Sequence, residues 1–64
     1  MKINELQKGK IYTDKDGVSA YQFVELRNAQ LATFKACEYS EGKGDYIATD
    51  ETIYLTPNEV KNLI

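Results

Sequence analysis

The chain has 64 residues, with eight Lys or Arg, ten Asp or Glu and no His, for a formal charge of −2. A chain this short buries only about 60% of the surface its unfolded form exposes, so it makes one small domain and excludes a cleft walled by two. Fifteen Val, Ile, Leu and Phe supply the core, beside five Tyr, five Ala, Met1 and Cys37. The mildly acidic balance argues against a broad basic footprint for nucleic acid or an anionic membrane.

Met1-Lys2-Ile3 leads straight into Asn4, Glu5 and Gln7, without the apolar stretch of a secretory leader. No apolar run approaches the roughly 18 residues of a membrane helix. The expectation is a soluble, cytoplasmic protein with no membrane contact. Asn4 to Gly9 then reads as one helical turn, with Asn4 as cap, Gly9 as the left-handed stop, and Ile3 and Leu6 turned inward.

Lys10 to Thr13 is a short strand carrying β-prone Ile11 and Tyr12. Asp14-Lys15-Asp16-Gly17 is a tight-turn signal, since Gly17 accepts positive φ and Asp bonds nearby amides. Ala20 to Leu26 is a second strand and Leu31 to Tyr39 a third, joined by the polar turn Arg27 to Gln30. Ser40 to Asp45, with two glycines in six residues, is a flexible loop. Tyr46 to Thr49 and Thr52 to Leu55 read as a fourth and a fifth strand, broken at Asp50-Glu51. Thr56-Pro57-Asn58-Glu59 is a capping box with Pro at the first helical position. Leu55 and Val60 are placed to staple it, and Val60, Leu63 and Ile64 line one face of a helix of about two turns.

Five short strands in a meander and a terminal helix predict a mainly β (α+β) fold, an antiparallel sheet bent or rolled into a small, partly open barrel. From Gly9 to Leu55, the strand count, the spacing and the Gly9-Lys10-Ile11-Tyr12 opening resemble the SH3-like, Tudor-type small barrels. The terminal helix departs from that pattern and leaves room for an open α+β sheet. Small size, richness in Lys, Tyr and Asp, and the absence of cofactor motifs also resemble bacteriophage-type proteins.

The inventory of reactive groups points away from catalysis. Without His there is no Ser-His or Cys-His pair and no His-containing zinc site. Cys37 alone makes neither a thiolate zinc site nor an intrachain disulfide. Its neighbours Ala36 and Glu38 bring no positive charge to activate it, so it reads as structural. Asp14-x-Asp16-Gly17 has the start of a calcium loop without its ligand series, and a hairpin turn accounts for it. Gly42-Lys43-Gly44 is too short for a phosphate loop. The carboxylates Asp50 and Glu51, or Glu38, Glu41 and Asp45, are what remains for acid–base or metal chemistry. The expectation is no enzyme, no metal and no cofactor.

Two features stand out from this background. Residues 38–51 hold five acids and one Lys, a local charge of −4, against +2 for the rest of the chain. This is either a solvated loop or an acidic patch that meets a basic partner surface. The second feature is surplus apolar surface. Tyr21 and Phe23 alternate onto one face of the second strand, with Val24 and Leu26 on the other, and Phe34 opposes Leu31, Cys37 and Tyr39 on the third. Either a bulge turns both sets inward, or an aromatic face is left exposed for a partner.

The expected partner-binding set is therefore Tyr21, Phe23, Tyr39, Glu41, Asp45 and Tyr46. The expected function is a non-enzymatic protein-binding module, which in phage-type form would block a host protein sterically. On that expectation, Phe23→Ala and Glu41→Lys spare folding and abolish the complex. The alternatives are nucleic-acid binding by tyrosines with Lys8, Lys10, Lys15, Lys35 and Arg27, and homo-oligomerisation through open strand edges.

Overall fold

The structure, a computed structural model, describes residues 2–63. It is mainly β: a short 3₁₀ turn (Ile3–Glu5), strands β1 (Ile11–Thr13), β2 (Ala20–Asn28), β3 (Leu31–Ser40) and β4 (Asp45–Leu55), and one helical turn, α1 (Pro57–Val60). The strands form one antiparallel meander in the order β1-β2-β3-β4. No helix among the described residues is long and apolar enough to cross a membrane.

Four strands stand where the sequence predicts five, and the cause is local. Between the pairs Lys35↔Thr52 and Cys37↔Ala48, β4 spends Thr49, Asp50 and Glu51 opposite the single residue Ala36. The Thr49 hydroxyl donates to the Ala36 carbonyl at 2.8 Å and accepts the Glu51 N–H at 3.2 Å. The strand is thus bulged and bent at Asp50-Glu51, not ended there. Nor does the sheet close into a barrel among the described residues. β1 is three residues long, and Asp14, just past its end, bridges Leu63 of the C-terminal segment.

The turns follow their chemistry. In the β1–β2 connection, Asp14 accepts the Gly17 N–H through its carbonyl and the Val18 N–H through Oδ1 at 2.9 Å, while Gly17 takes φ +71°. Asn28 Oδ1 accepts the Gln30 N–H at 2.8 Å and tightens the β2–β3 turn to Ala29-Gln30. At the other end, Gly44 (φ +67°) donates to the Ser40 carbonyl at 2.8 Å and closes the β3–β4 loop. Left-handed backbone of this kind costs a non-Gly residue about 1–2 kcal/mol.

One face of the sheet carries the core. Tyr12, Phe23, Ala32, Phe34 and Leu55 are buried on it beneath Val60 and Leu63, and Ile3, Leu6, Tyr21 and Ile53 pack at the margin. Phe34 is fully buried and takes Phe23 edge-on at 5.5 Å and Tyr21 at 6.1 Å between ring centroids. Tyr12 is buried as well, its hydroxyl accepting the Gln7 N–H at 2.9 Å, which ties the N-terminal segment down. Bulges at Val24 and Arg27 reset the β2 register, so that Leu26 comes opposite Ala32. Leu26 therefore shares the side of Tyr21 and Phe23, while Val24, left unpaired at the bulge, stays outside the core cluster.

Both chain ends cap as short turns. In α1, Glu59 Oε1 accepts the Thr56 N–H at 3.1 Å and Thr56 Oγ1 accepts the Glu59 N–H at 3.4 Å, the expected capping box. The helix has one turn instead of about two, and Ile64 lies outside the described residues. The first turn begins earlier than predicted. Lys2, not Asn4, precedes it, and Glu5 reaches back to accept the Lys2 N–H at 2.8 Å.

Candidate functional site

The pairing of β2 with β3 ends at Ala20↔Cys37, whereas β3 and β4 remain paired through Glu38↔Ile47, Tyr39↔Tyr46 and Ser40↔Asp45. Residues 38–47 are therefore a two-stranded arm that runs past the rest of the sheet. It contributes no residue to the buried core. A molecule with principal extents of 37 × 23 × 16 Å is long and thin for this reason.

Alternation along the arm sorts its side chains onto two faces. Tyr39 and Tyr46 continue the face of Cys37 and Ala48, opposite the core. They form an edge-on cross-strand pair, ring centroids 5.4 Å apart at 77°. Such a pair contributes roughly 0.5–1.5 kcal/mol beyond the area it covers, which helps hold a hairpin that has no third strand. Tyr39 nevertheless stays 58% exposed. On the other side Glu38 faces Ile47, and Ile47 is exposed too. A shallow cleft of about 400 Å³ lies at the base, lined by Tyr39, Ile47, Ala48 and Thr49 with Glu38 and Ser40.

All five acids of residues 38–51 are exposed, three of them on the arm and Asp50 and Glu51 at the bulge beside it. Asp45 Oδ1 accepts the Tyr46 N–H at 2.7 Å, so that carboxylate helps shape the turn as well as charging it. Lys43 is the single base of the segment. The arm thus offers two tyrosine rings and an isoleucine within a negative field.

Of the six residues expected at a partner surface, Tyr39, Glu41, Asp45 and Tyr46 come together on this arm. Tyr21 and Phe23 do not. Phe23 is 7% exposed and Tyr21 half-buried, both packed on Phe34, so their place is in the core and not at an exposed aromatic face. The apolar side of β2 is consumed by the layer of chain ends above it. Four exposed large apolar side chains were absent from the expected set: Val18, Leu26, Ile47 and Tyr54. Ile47 lies on the arm, and Tyr54 at the far end of the sheet. There the Arg27 guanidinium stands 5.2 Å over the Tyr54 ring and donates to its hydroxyl at 3.4 Å.

Cys37 sits where the arm leaves the sheet. Burial pushes its thiol above the ordinary range, and a backbone hydrogen bond from Gln22 pulls weakly the other way. The protonated thiol is a poor nucleophile, and in the sheet register Cys37 stands between Ala20 and Ala48. Asp14, the first carboxylate of the calcium-loop-like stretch, is engaged with the amide of its own turn.

No family model, curated protein or solved structure matches the chain.

Proposed function

We propose that this chain is a non-enzymatic protein-binding module, and that the β3–β4 arm is the part that binds. Its partner is a protein with a basic surface, met by Tyr39, Tyr46 and Ile47 together with Glu38, Glu41 and Asp45. One observation carries the reading: a small chain with few apolar residues holds Tyr39 and Ile47 exposed on an extension that adds nothing to its core. Exposed aromatics in a charged setting are the residue types that anchor protein interfaces. Tyrosine supplies large contact area at low entropic cost, and the acids raise the encounter rate with a cationic surface. In its sharper form, the module acts in the cytoplasm as a phage-type modulator that occludes a host protein sterically.

A second reading, homo-oligomerisation, is favoured by β4, the end strand of the sheet, which has no strand partner on its outer side among the described residues. Unpaired edges template further strands, but Asp50 and Glu51 at its bulge would bring like charges together in a symmetric β4–β4 pair. The arm is therefore the stronger surface.

The test compares the wild type with Tyr39→Ala/Ile47→Ser as baits in a lysate of the cells that make the protein, with and without nuclease. One protein captured in near-equal amount by the wild type, resistant to nuclease and lost with the double variant at unchanged circular dichroism, supports the proposal. Equal capture by the variant, or capture that nuclease abolishes, overturns it. A dimer mass in light scattering that survives the arm substitutions points to the β4 edge.

A further inference from the structure

At the end of the molecule remote from the arm, the 3₁₀ turn, the β2–β3 turn and α1 enclose a cleft of about 570 Å³. Ile3, Leu26, Ala29 and Pro57 form its apolar wall, and Lys2 and Lys61, both exposed, stand on it from opposite termini of the chain. Leu26 is 44% exposed although it lies on the core-facing side of β2. Asn4 is the only other polar residue of the lining, which holds no carboxylate. Of the acids close to the lining in sequence, Glu25, next to Leu26, is exposed and outside the lining, while Glu5 accepts the Lys2 amide at 2.8 Å and Glu59 accepts the Thr56 amide and hydroxyl at 3.1 Å. Capping thus draws the negative charge back onto the two turns and leaves the cleft apolar with a cationic edge, in a chain that is acidic overall.

We propose that this cleft binds a small anionic amphiphile, a molecule with an apolar body and a single carboxylate head, of the size of a medium-chain fatty acid. The volume lies in the range of small-molecule sites, which are mostly apolar with a few polar groups that fix orientation. Charge complementarity selects the head group: a carboxylate meets Lys2 and Lys61, whereas a neutral or cationic head gains nothing from them. The ligand's chain lies against Leu26 and Pro57, covering apolar surface that the fold leaves open. The proposal is independent of what the arm binds.

The probe is decanoate, titrated below its critical micelle concentration into ¹³C-labelled protein while methyl resonances are followed. Saturable shifts at Ile3, Leu26 and Ala29 are expected, with decan-1-ol and decyltrimethylammonium binding more weakly. The exposed double variant Lys2→Gln/Lys61→Gln keeps its fold and loses about three- to tenfold in affinity, as two solvent-exposed charge pairs allow. Tyr39→Ala binds decanoate as the wild type does, which separates this site from the arm. Absence of saturable shifts at these methyls overturns the proposal, as does equal binding of the alcohol or the quaternary ammonium, or wild-type affinity in the lysine variant.

Discussion

Phe23→Ala separates the core from the partner surface more sharply than any other single change. Phe23 is 7% exposed, pairs with Phe34 across β2 and β3, and meets that fully buried ring edge-on at 5.5 Å. Truncating a buried Phe costs about 3–5 kcal/mol, because the transfer term and the cavity add. A domain of this length has a total stability of roughly 3–10 kcal/mol. Phe23→Ala therefore removes a third or more of the stability, and at the low end of that range leaves the chain largely unfolded at 25 °C. Phe23→Leu, which keeps most of the volume, costs about 1–1.5 kcal/mol, a fall in melting temperature of roughly 5–12 °C for a chain this small. Urea unfolding followed by circular dichroism reads both, with Tyr39→Ala as the exposed comparison, expected to lose only the roughly 0.5–1.5 kcal/mol of its pair with Tyr46. A Phe23→Ala protein with wild-type midpoint and slope would refute the assignment of this ring to the core and return it to the exposed face.

Thr49→Val deletes the hydroxyl that donates to the Ala36 carbonyl and accepts the Glu51 amide; a loss of about 1–2 kcal/mol is expected, with faster hydrogen exchange at the Glu51 amide and little change at Phe34. Tyr12→Phe removes the acceptor of the Gln7 N–H and costs about 1 kcal/mol, measured as a lower urea midpoint at unchanged slope. Burial raises the Cys37 thiol, so its alkylation rate climbs only at pH above that of an unstructured cysteine peptide, and unfolding in urea abolishes the difference. By linkage, a raised folded-state value means that the folded form holds its proton longer. Stability therefore falls as pH rises from the ordinary thiol range through the raised one, and Cys37→Ala flattens that part of the profile.

What was legible in the sequence was local chemistry. The Thr56–Glu59 box, the positive-φ role of Gly17 and the apolar alternation of β3 each depend on residues close in the chain, and each stands in the fold. What escaped depended on residues far apart. Asp50-Glu51 has the composition of a break, and only the reach of Thr49 to Ala36 on the neighbouring strand keeps β4 continuous. The aromatic face of β2 looked like surplus because its cover comes from both chain ends, Ile3 and Leu6 from one and Val60 and Leu63 from the other. The acidic, tyrosine-bearing hairpin was visible as composition. Its standing clear of the sheet was not, because that follows from where β2 stops pairing.

The division between arm and body leads to a last prediction. Replacing residues 39–46 by Asn-Gly joins Glu38 to Ile47 through a two-residue turn of the kind that favours hairpins. Those two residues already face each other across β3 and β4, so the new turn inherits the register. The excision removes the Tyr39–Tyr46 pair, a glycine-rich loop and two acids, and none of the core cluster. The pair's contribution of about 0.5–1.5 kcal/mol is offset by the ordering entropy of eight residues that no longer need fixing, so the shortened chain should melt within a few degrees of the wild type. Its methyl spectrum around Phe34 and Val60 should be unchanged. Collapse of that spectrum would mean that the arm is needed for folding, and the argument that its exposed side chains are free to serve a partner would fall with it. A native spectrum with loss of the captured protein would confine binding to the eight residues removed.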